Sequence, residues 1–226
     1  MLVMMWLCPF YGITALRHYG IRRIDTLIVS HGDMDHRGGG SAVLEQSKVK
    51  RLLTSVPDKI HWKDGRVESC VEGQSWEWDG VRFEMLYPIV QQPYRGNDAS
   101  CVLRVQTSGE AVLLPGDIER RSEKLLLKEQ AALLPSDIMV APHHGSNTSS
   151  TAAFLRVVHP HYVLFAVGYR NRYGFPKPVV EARYTAEGAR LLDSAQDGAI
   201  TFHLGSSASP LPDTYRQQTR HYWNSR

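Results

Sequence analysis

A chain of 226 residues with 42% hydrophobic and 22% charged side chains can bury the core of one domain, or at most two, and this excludes a disordered or low-complexity protein. A formal net charge of +3 permits a nucleic-acid partner but is far from the dense basic surface that would argue for one by itself. The three cysteines, Cys8, Cys70 and Cys101, are widely spaced and odd in number, which indicates neither a disulfide framework nor a cysteine zinc site and leaves them as buried thiols.

In chain order, residues 1–11 are apolar but shorter than a membrane span, and they lack the basic start and cleavage site of a signal peptide. They are expected to pack on the domain. Residues 24–29 read as a buried strand, 40–46 as a helix start and 49–54 as the next strand. Residues 75–86 alternate apolar and polar around Asp79-Gly80, a hairpin signal that puts Trp76, Trp78 and Phe83 on a core face rather than on a base-stacking surface. A second hairpin pairs 101–106 with 111–114 through Ser108-Gly109. Helical spacing covers 120–130, 148–158 and 179–193, while 137–142 and 199–204 read as strands. Beyond Gly205 the Ser- and Pro-rich stretch carries no apolar period, so 206–226 is expected to be a flexible basic tail.

The chemistry concentrates in His31-Gly32-Asp33-Met34-Asp35-His36, which sets four potential metal ligands in six residues directly after a strand. Imidazole and carboxylate suit zinc or manganese. Alternation in an extended segment sends His31, Asp33 and Asp35 to one side, and a turn at Asp35-His36 swings the adjacent imidazole towards the same centre. Two further strand ends carry Asp117 and the pair His143-His144. In layered α/β proteins, polar groups beyond the carboxyl ends of strands collect into one site. His159 and His161 belong to none of these elements.

These motifs resemble the metallo-β-lactamase superfamily, whose signature His-x-His-x-Asp-His sits at a strand end and continues into Gly-Gly. The form seen here, with Asp33 at the second histidine position, is similar to the carboxy-terminal domain of the ComEC competence family. Residues 20–31, 114–119 and 142–146 support that narrower match, as does Asn171-Arg172-Tyr173-Gly174-Phe175-Pro176, where the family commonly has histidine in place of Phe175. The resemblance runs from about residue 15 to about residue 204. It implies an α/β fold, the αββα four-layer sandwich, lacking its first strands: 1–14 as an atypical or truncated start, 15–205 as the domain and 206–226 as the tail. The chain is then expected to be a piece of a longer protein whose membrane channel precedes it.

The resemblance also implies a divalent metal, manganese or zinc. A tight position would use Asp35, His36, Asp117 and His144, and a weak second one His31 and Asp33 with help from Asn97 or Asp98. Asp35 is expected to orient a nucleophile, and His143 to act as an outer donor or as the acid for the leaving group. Ser146 and Asn171 would donate to a phosphate, with Arg37 and Arg172 pairing the flanking nucleic-acid backbone. The implied function is a phosphodiesterase, a nuclease that degrades the non-transported DNA strand during uptake. Its partners would be DNA and the channel portion, with no organic cofactor, on the extracytoplasmic face of the inner membrane. Phe175 can neither ligate nor transfer a proton, which keeps open an inactive DNA- or partner-binding module. A small-molecule ester or thioester hydrolase is the third class, disfavoured by Asp33. Oligomeric state is left open.

Overall fold

The computed structural model describes residues 2–4, 9–63, 65–89, 93–205 and 210–219, with side chains from residue 13 onward. The first sheet is all parallel, in the order β1 (Leu2–Met4), β2 (Arg23–Val29), β3 (Lys48–Thr54), β4 (Val67–Ser69). Helix α1 (Pro9–His18) connects β1 to β2, and α2 (Met34–Arg37) and α3 (Gly40–Gln46) connect β2 to β3. Strand alternation sorts the apolar residues to two faces. Leu27, Val29 and Leu52 pack with Leu16 of α1 and Val43 of α3, whereas Ile28 and Leu53 turn the other way onto Met85 and Leu103 of the second sheet. The expected domain boundary after residue 14 therefore falls inside α1, a helix whose Ile13 and Leu16 pack with this core.

The second sheet runs β11-β10-β9-β8-β7-β6-β5. It begins with β5 (Ser75–Trp78), β6 (Val81–Tyr87), β7 (Val102–Gln106) and β8 (Ala111–Leu114), paired antiparallel. Parallel pairing then adds β9 (Ile138–Val140), β10 (Tyr162–Phe165) and β11 (Arg190–Asp193). Helices α4 (Arg120–Glu129), α5 (Ala152–Val158) and α6 (Pro178–Ala186) cover its outer face, where Leu126, Phe154, Val180 and Tyr184 are buried. The result is the expected four-layer αββα sandwich. Trp76 stacks on Phe83 at 5.3 Å and 2°, on the core face assigned from the hairpin pattern.

Four expectations are corrected. Cys70 and Cys101 are not thiols: they form a disulfide with Cα atoms 5.9 Å apart. Cys70 follows β4 of the first sheet and Cys101 precedes β7 of the second, so the bond ties the two sheets across their shared core. No spacing signature announces such a pair, and Cys8 lies outside the described residues. The stretch 179–193 is not one helix, because the chain turns at Gly188, with φ of 82°, and continues as β11. The helix assigned to 148–158 begins only at Ala152, where the Thr151 hydroxyl caps its first turn. The stretch 206–226 is partly folded: β13 (Pro212–Thr214) pairs with β12 (Ile200–Phe202), flanked by α7 (Ser194–Asp197) and α8 (Tyr215–Gln218). A three-residue strand held by backbone bonds has no apolar period to read. Arg220, Tyr222, Trp223 and Arg226 lie outside the described residues.

Candidate metal centre

Three strand ends converge. β2 ends at Val29, and the buried Ser30 that follows holds two imidazoles at once, its Oγ lying 3.2 Å from His31 Nδ1 and 3.1 Å from His36 Nδ1. Using one nitrogen of each ring in this way leaves Nε2 for the centre. His36 reaches that place because 34–37 forms a single helical turn, with His36 N and Arg37 N donating to Asp33 O. After β8, Gly116 adopts φ of 61°, and a Cβ there would stand 2.7 Å from Ser100 Cβ and 3.2 Å from Ser30 Cβ. Only glycine allows the approach that puts Asp117 beside the histidines. Asp117 N donates to Ser100 Oγ at 3.0 Å, fixing the turn. After β9, His143 and His144 both take positive φ in a tight turn, and His144 Nδ1 donates to Ala166 O at 2.8 Å.

The ligating atoms gather into two overlapping triads, His31–His36–Asp117 and Asp35–His36–His144, with all ligating atoms of each triad within 4.8 Å of one another. His36 Nε2 lies 3.2 Å from Asp117 Oδ1, 3.3 Å from His144 Nε2 and 3.9 Å from Asp35 Oδ2. His144 Nε2 is 3.5 Å from Asp35 Oδ2 and 3.7 Å from Asp117 Oδ2. Asp33 Oδ2 stands 3.7 Å from His31 Nε2 at the open side.

The donor set fits a cation. His31 Nε2 is buried without a hydrogen bond, and the equally buried Asp117 Oδ1 has only the His36 ring nitrogen beside it at 3.2 Å, a costly state for polar atoms unless something else binds them. Burial, followed by repulsion from His36, pushes the His31 pKa down to about 4, so this ring stands neutral and ready to ligate. Burial opposes ionisation of Asp117, but His36, His144 and His31 together hold it below the usual carboxylate range. A hydrogen bond from His144 likewise holds Asp35 well below that range. Burial works against protonation of His144, yet Asp35 and Asp117 outweigh it and raise its pKa. Mixed nitrogen and oxygen donors suit zinc or manganese.

The other residues singled out in the sequence fall around this cluster. His143 turns to Glu119 Oε1 and Thr148 Oγ1, each at 3.2 Å, with Asn97 Nδ2 3.4 Å from its Nε2. Asp98, considered as a weak ligand, instead uses Oδ1 to accept from Glu119 N, Ser122 N and Ser122 Oγ at the start of α4. Ser146 Oγ pairs with Thr148 Oγ1 at 3.0 Å. Asn171, expected to donate to a phosphate, is committed to its own loop: Oδ1 accepts from Phe175 N, and Nδ2 donates to Phe175 O and Gly168 O. Both amide donors are thereby used. Arg37 Nε braces the first loop on Gly32 O at 2.7 Å, and Arg172 is exposed over the Tyr173 ring. Sequence reasoning missed Ser30, Ser100 and Tyr94, whose Oη accepts from Gly32 N at 3.1 Å beneath the Lys59 ammonium. Serine beside a histidine signals nothing alone, and Tyr94 comes from a distant loop.

Comparison with known proteins gives the family of the chain. The profile of the metallo-β-lactamase superfamily matches residues 6–168. Competence protein ComA of Neisseria gonorrhoeae is 39% identical over 193 residues, covering 85% of this chain and 27% of that protein. ComE operon protein 3 of Bacillus subtilis (strain 168) is 28% identical over 194 residues, covering 81% and 25% respectively. The chain thus spans about a quarter of the length of these curated relatives. Their names bear out the narrower resemblance to competence proteins. The metallo-β-lactamase fold protein YhfI of Bacillus subtilis superposes with a TM-score of 0.54 at 11% identity, over 80% of this chain and 79% of that one, and shares the fold. Since the matched stretch runs through all three ligand-bearing strand ends, the chain belongs to the metallo-β-lactamase superfamily.

Proposed function

We propose that this chain is the hydrolase domain of a competence-related DNA-uptake protein, a metal-dependent phosphodiesterase that cuts the DNA strand not taken up. The observation that carries the reading is the convergence of buried ligand atoms, His31 Nε2 without a hydrogen bond and Asp117 Oδ1 against the His36 ring, within a cluster completed by Asp35, His36 and His144. Competence in the name of a relative supports the reading, and DNA as the substrate is what the competence-family resemblance implies. When bound there, a divalent cation supplies positive charge that acidifies water and polarises a phosphoryl oxygen.

The remaining work belongs to the chain. Asp35, ionised and half exposed, orients the attacking water, and its contact with His144 keeps it directed at the cluster. His143 hands a proton to the departing oxygen, with Glu119 and Thr148 fixing its ring. Arg37 and Lys59 flank the Gly32-Asp33 loop as cations for the flanking phosphates. Ser146 and Asn171 act by bracing the loops around the cluster. Phosphodiester cleavage of this kind needs no base-reading element.

The Cys70–Cys101 disulfide supports an oxidising, extracytoplasmic setting, because such bonds persist there and are rare in the cytosol. Among the described residues no helix is long and apolar enough to cross a membrane. Membrane attachment would come from a channel portion of the kind that the longer relatives' lengths allow. The observation favouring an inactive module is Phe175, which supplies no ligand.

The test is cleavage of end-labelled single- and double-stranded DNA by the metal-stripped protein with manganese or zinc restored, alongside Asp35→Ala. Metal-dependent cutting that Asp35→Ala abolishes is the expected result. Intact DNA from a folded protein that binds the metal would overturn the nuclease reading in favour of the inactive module.

A further inference from the structure

The loop 168–177 carries features that the cluster does not use. From His143, next in the chain to the ligand His144, a column of rings leads outward. Phe175 meets the His143 ring edge-on at 5.8 Å, and Tyr173 stacks on Phe175 at 5.6 Å and 19°. Cations line this column: the Arg172 guanidinium lies 4.8 Å from the Tyr173 ring centre and the Lys177 ammonium 5.4 Å from that of Phe175. Arg170 packs on Tyr169 in the same loop at 5.2 Å. Tyr173 is 55% exposed and Tyr169 60%, which leaves both tyrosine rings of this loop open to solvent.

The loop is built rather than loose. Asn171 clamps both backbone groups of Phe175, Gly174 N donates to Asn171 O, and Lys177 N donates to Gly145 O. Gly145 has φ of 83°, and a Cβ on it would stand 2.7 Å from Pro176 Cβ, so the loop rests directly on the turn that carries His143 and His144. The Asn171 amide therefore has a reason to be spent on its own loop: it holds Phe175 and Tyr173 in place.

An exposed ring stacked on a half-buried one, on a rigid support and interleaved with Arg and Lys, matches the chemistry of a single nucleic-acid strand, whose bases stack while its phosphates pair with cations. A duplex would keep its bases sequestered and could use only the cations. We propose that Tyr173 and Phe175, with Arg172 and Lys177, form a base-stacking subsite that delivers a single strand to the cluster. On this view Phe175, which replaces a histidine of the resembling family, is part of the substrate platform. The proposal rests on the phosphodiesterase reading for its substrate class.

The experiment measures binding of a fluorescent oligothymidylate and of an abasic strand of equal length to the metal-stripped protein in chelator, so that binding is read without cleavage. Wild type is expected to prefer the base-bearing strand. Tyr173→Leu should bind it roughly five- to a hundredfold more weakly and lose the preference. Tyr173→Phe, which keeps the ring, should restore it, and an unchanged unfolding midpoint shows that the Leu variant is folded. Equal affinity of wild type for the two strands, or an unaltered preference in Tyr173→Leu, overturns the proposal. The two readings fail separately. A Tyr173-dependent preference without metal-dependent cutting would refute the nuclease alone, and cutting without the preference would refute the subsite alone.

Discussion

The two triads share His36 but differ in their relation to water. In His31–His36–Asp117 every member is buried, Ser30 and Ser100 fix the surrounding geometry, and His31 Nε2 makes no hydrogen bond. In Asp35–His36–His144 the carboxylate is 52% exposed and its pairing with His144 occupies the atoms that a cation would need. One position is enclosed and the other opens to solvent, and in both a cation would replace an existing contact, His36 to Asp117 at 3.2 Å in the first and His144 to Asp35 at 3.5 Å in the second. Sequence resemblance suggests the opposite ranking, with His31 on the weak side, because it weighs ligand types and cannot see burial or the sharing of His36.

The largest effect should come from the carboxylate that touches both sets. Asp117→Ala is expected to abolish cleavage and weaken manganese and zinc binding by more than about a hundredfold, since loss of an outer-shell partner alone costs about ten- to a hundredfold. Titration of the metal-stripped protein measures this. A remaining site of near wild-type affinity would show that the triads bind independently.

The buried wall also depends on the bond behind it. Cys101 N donates to Ser30 O at 2.9 Å, and Ser100 is the next residue, so the disulfide lies directly against the groups that fix His31, His36 and Asp117. Replacing Cys70 and Cys101 together by Ser should lower stability by about 3–4 kcal/mol on the chain-entropy account, for a closed loop of 31 positions. Denaturant unfolding gives the figure. Metal affinity should fall more at the buried triad than at the open one.

A third test separates the triads by pH in the metal-free protein. His31, with its pKa pushed down to about 4 from an ordinary 6.5, contributes stability that is present above 6.5 and lost as the pH falls towards 4. His144, raised by Asp35 and Asp117 against its burial, contributes in the opposite sense, and its share is lost as the pH rises past its folded pKa. Urea midpoints should therefore peak between these limbs. His31→Asn should flatten the acid limb, by roughly 1–3 kcal/mol, and His144→Asn the alkaline limb. A bound cation should release a proton chiefly where His144 is a ligand.

Legibility in the sequence followed the same division. Hydrophobic period and donor groups at strand ends are enough for β2, α3, β8 and the gathering of the cluster's side chains, because burial and donor chemistry both leave marks on residue type. The orientation of the cluster was not legible. Ser30 acts through geometry common to any serine, and Gly116 is informative only once Ser100 is known to be its neighbour. The role of Asn171 was misread because an amide that donates to a phosphate and one that clamps a loop look identical in a string. The disulfide, β11 and β13 depend on partners distant in sequence, which local pattern cannot supply.

The smallest effect sharpens the comparison most. Asp33 stands 3.7 Å from His31 Nε2 with 58% of its side chain exposed, at the position where the superfamily signature has histidine. If the buried triad is the occupied one, Asp33 lies at its open edge and sets which cation is preferred. Asp33→His exchanges a hard oxygen for imidazole and should raise the ratio of zinc to manganese affinity about tenfold while changing stability little. Competition between the two metals reads that ratio directly. An unchanged ratio would mean that a cation sits beyond the reach of residue 33, against Asp35 and His144, and that the solvent-facing triad is filled first despite its exposure.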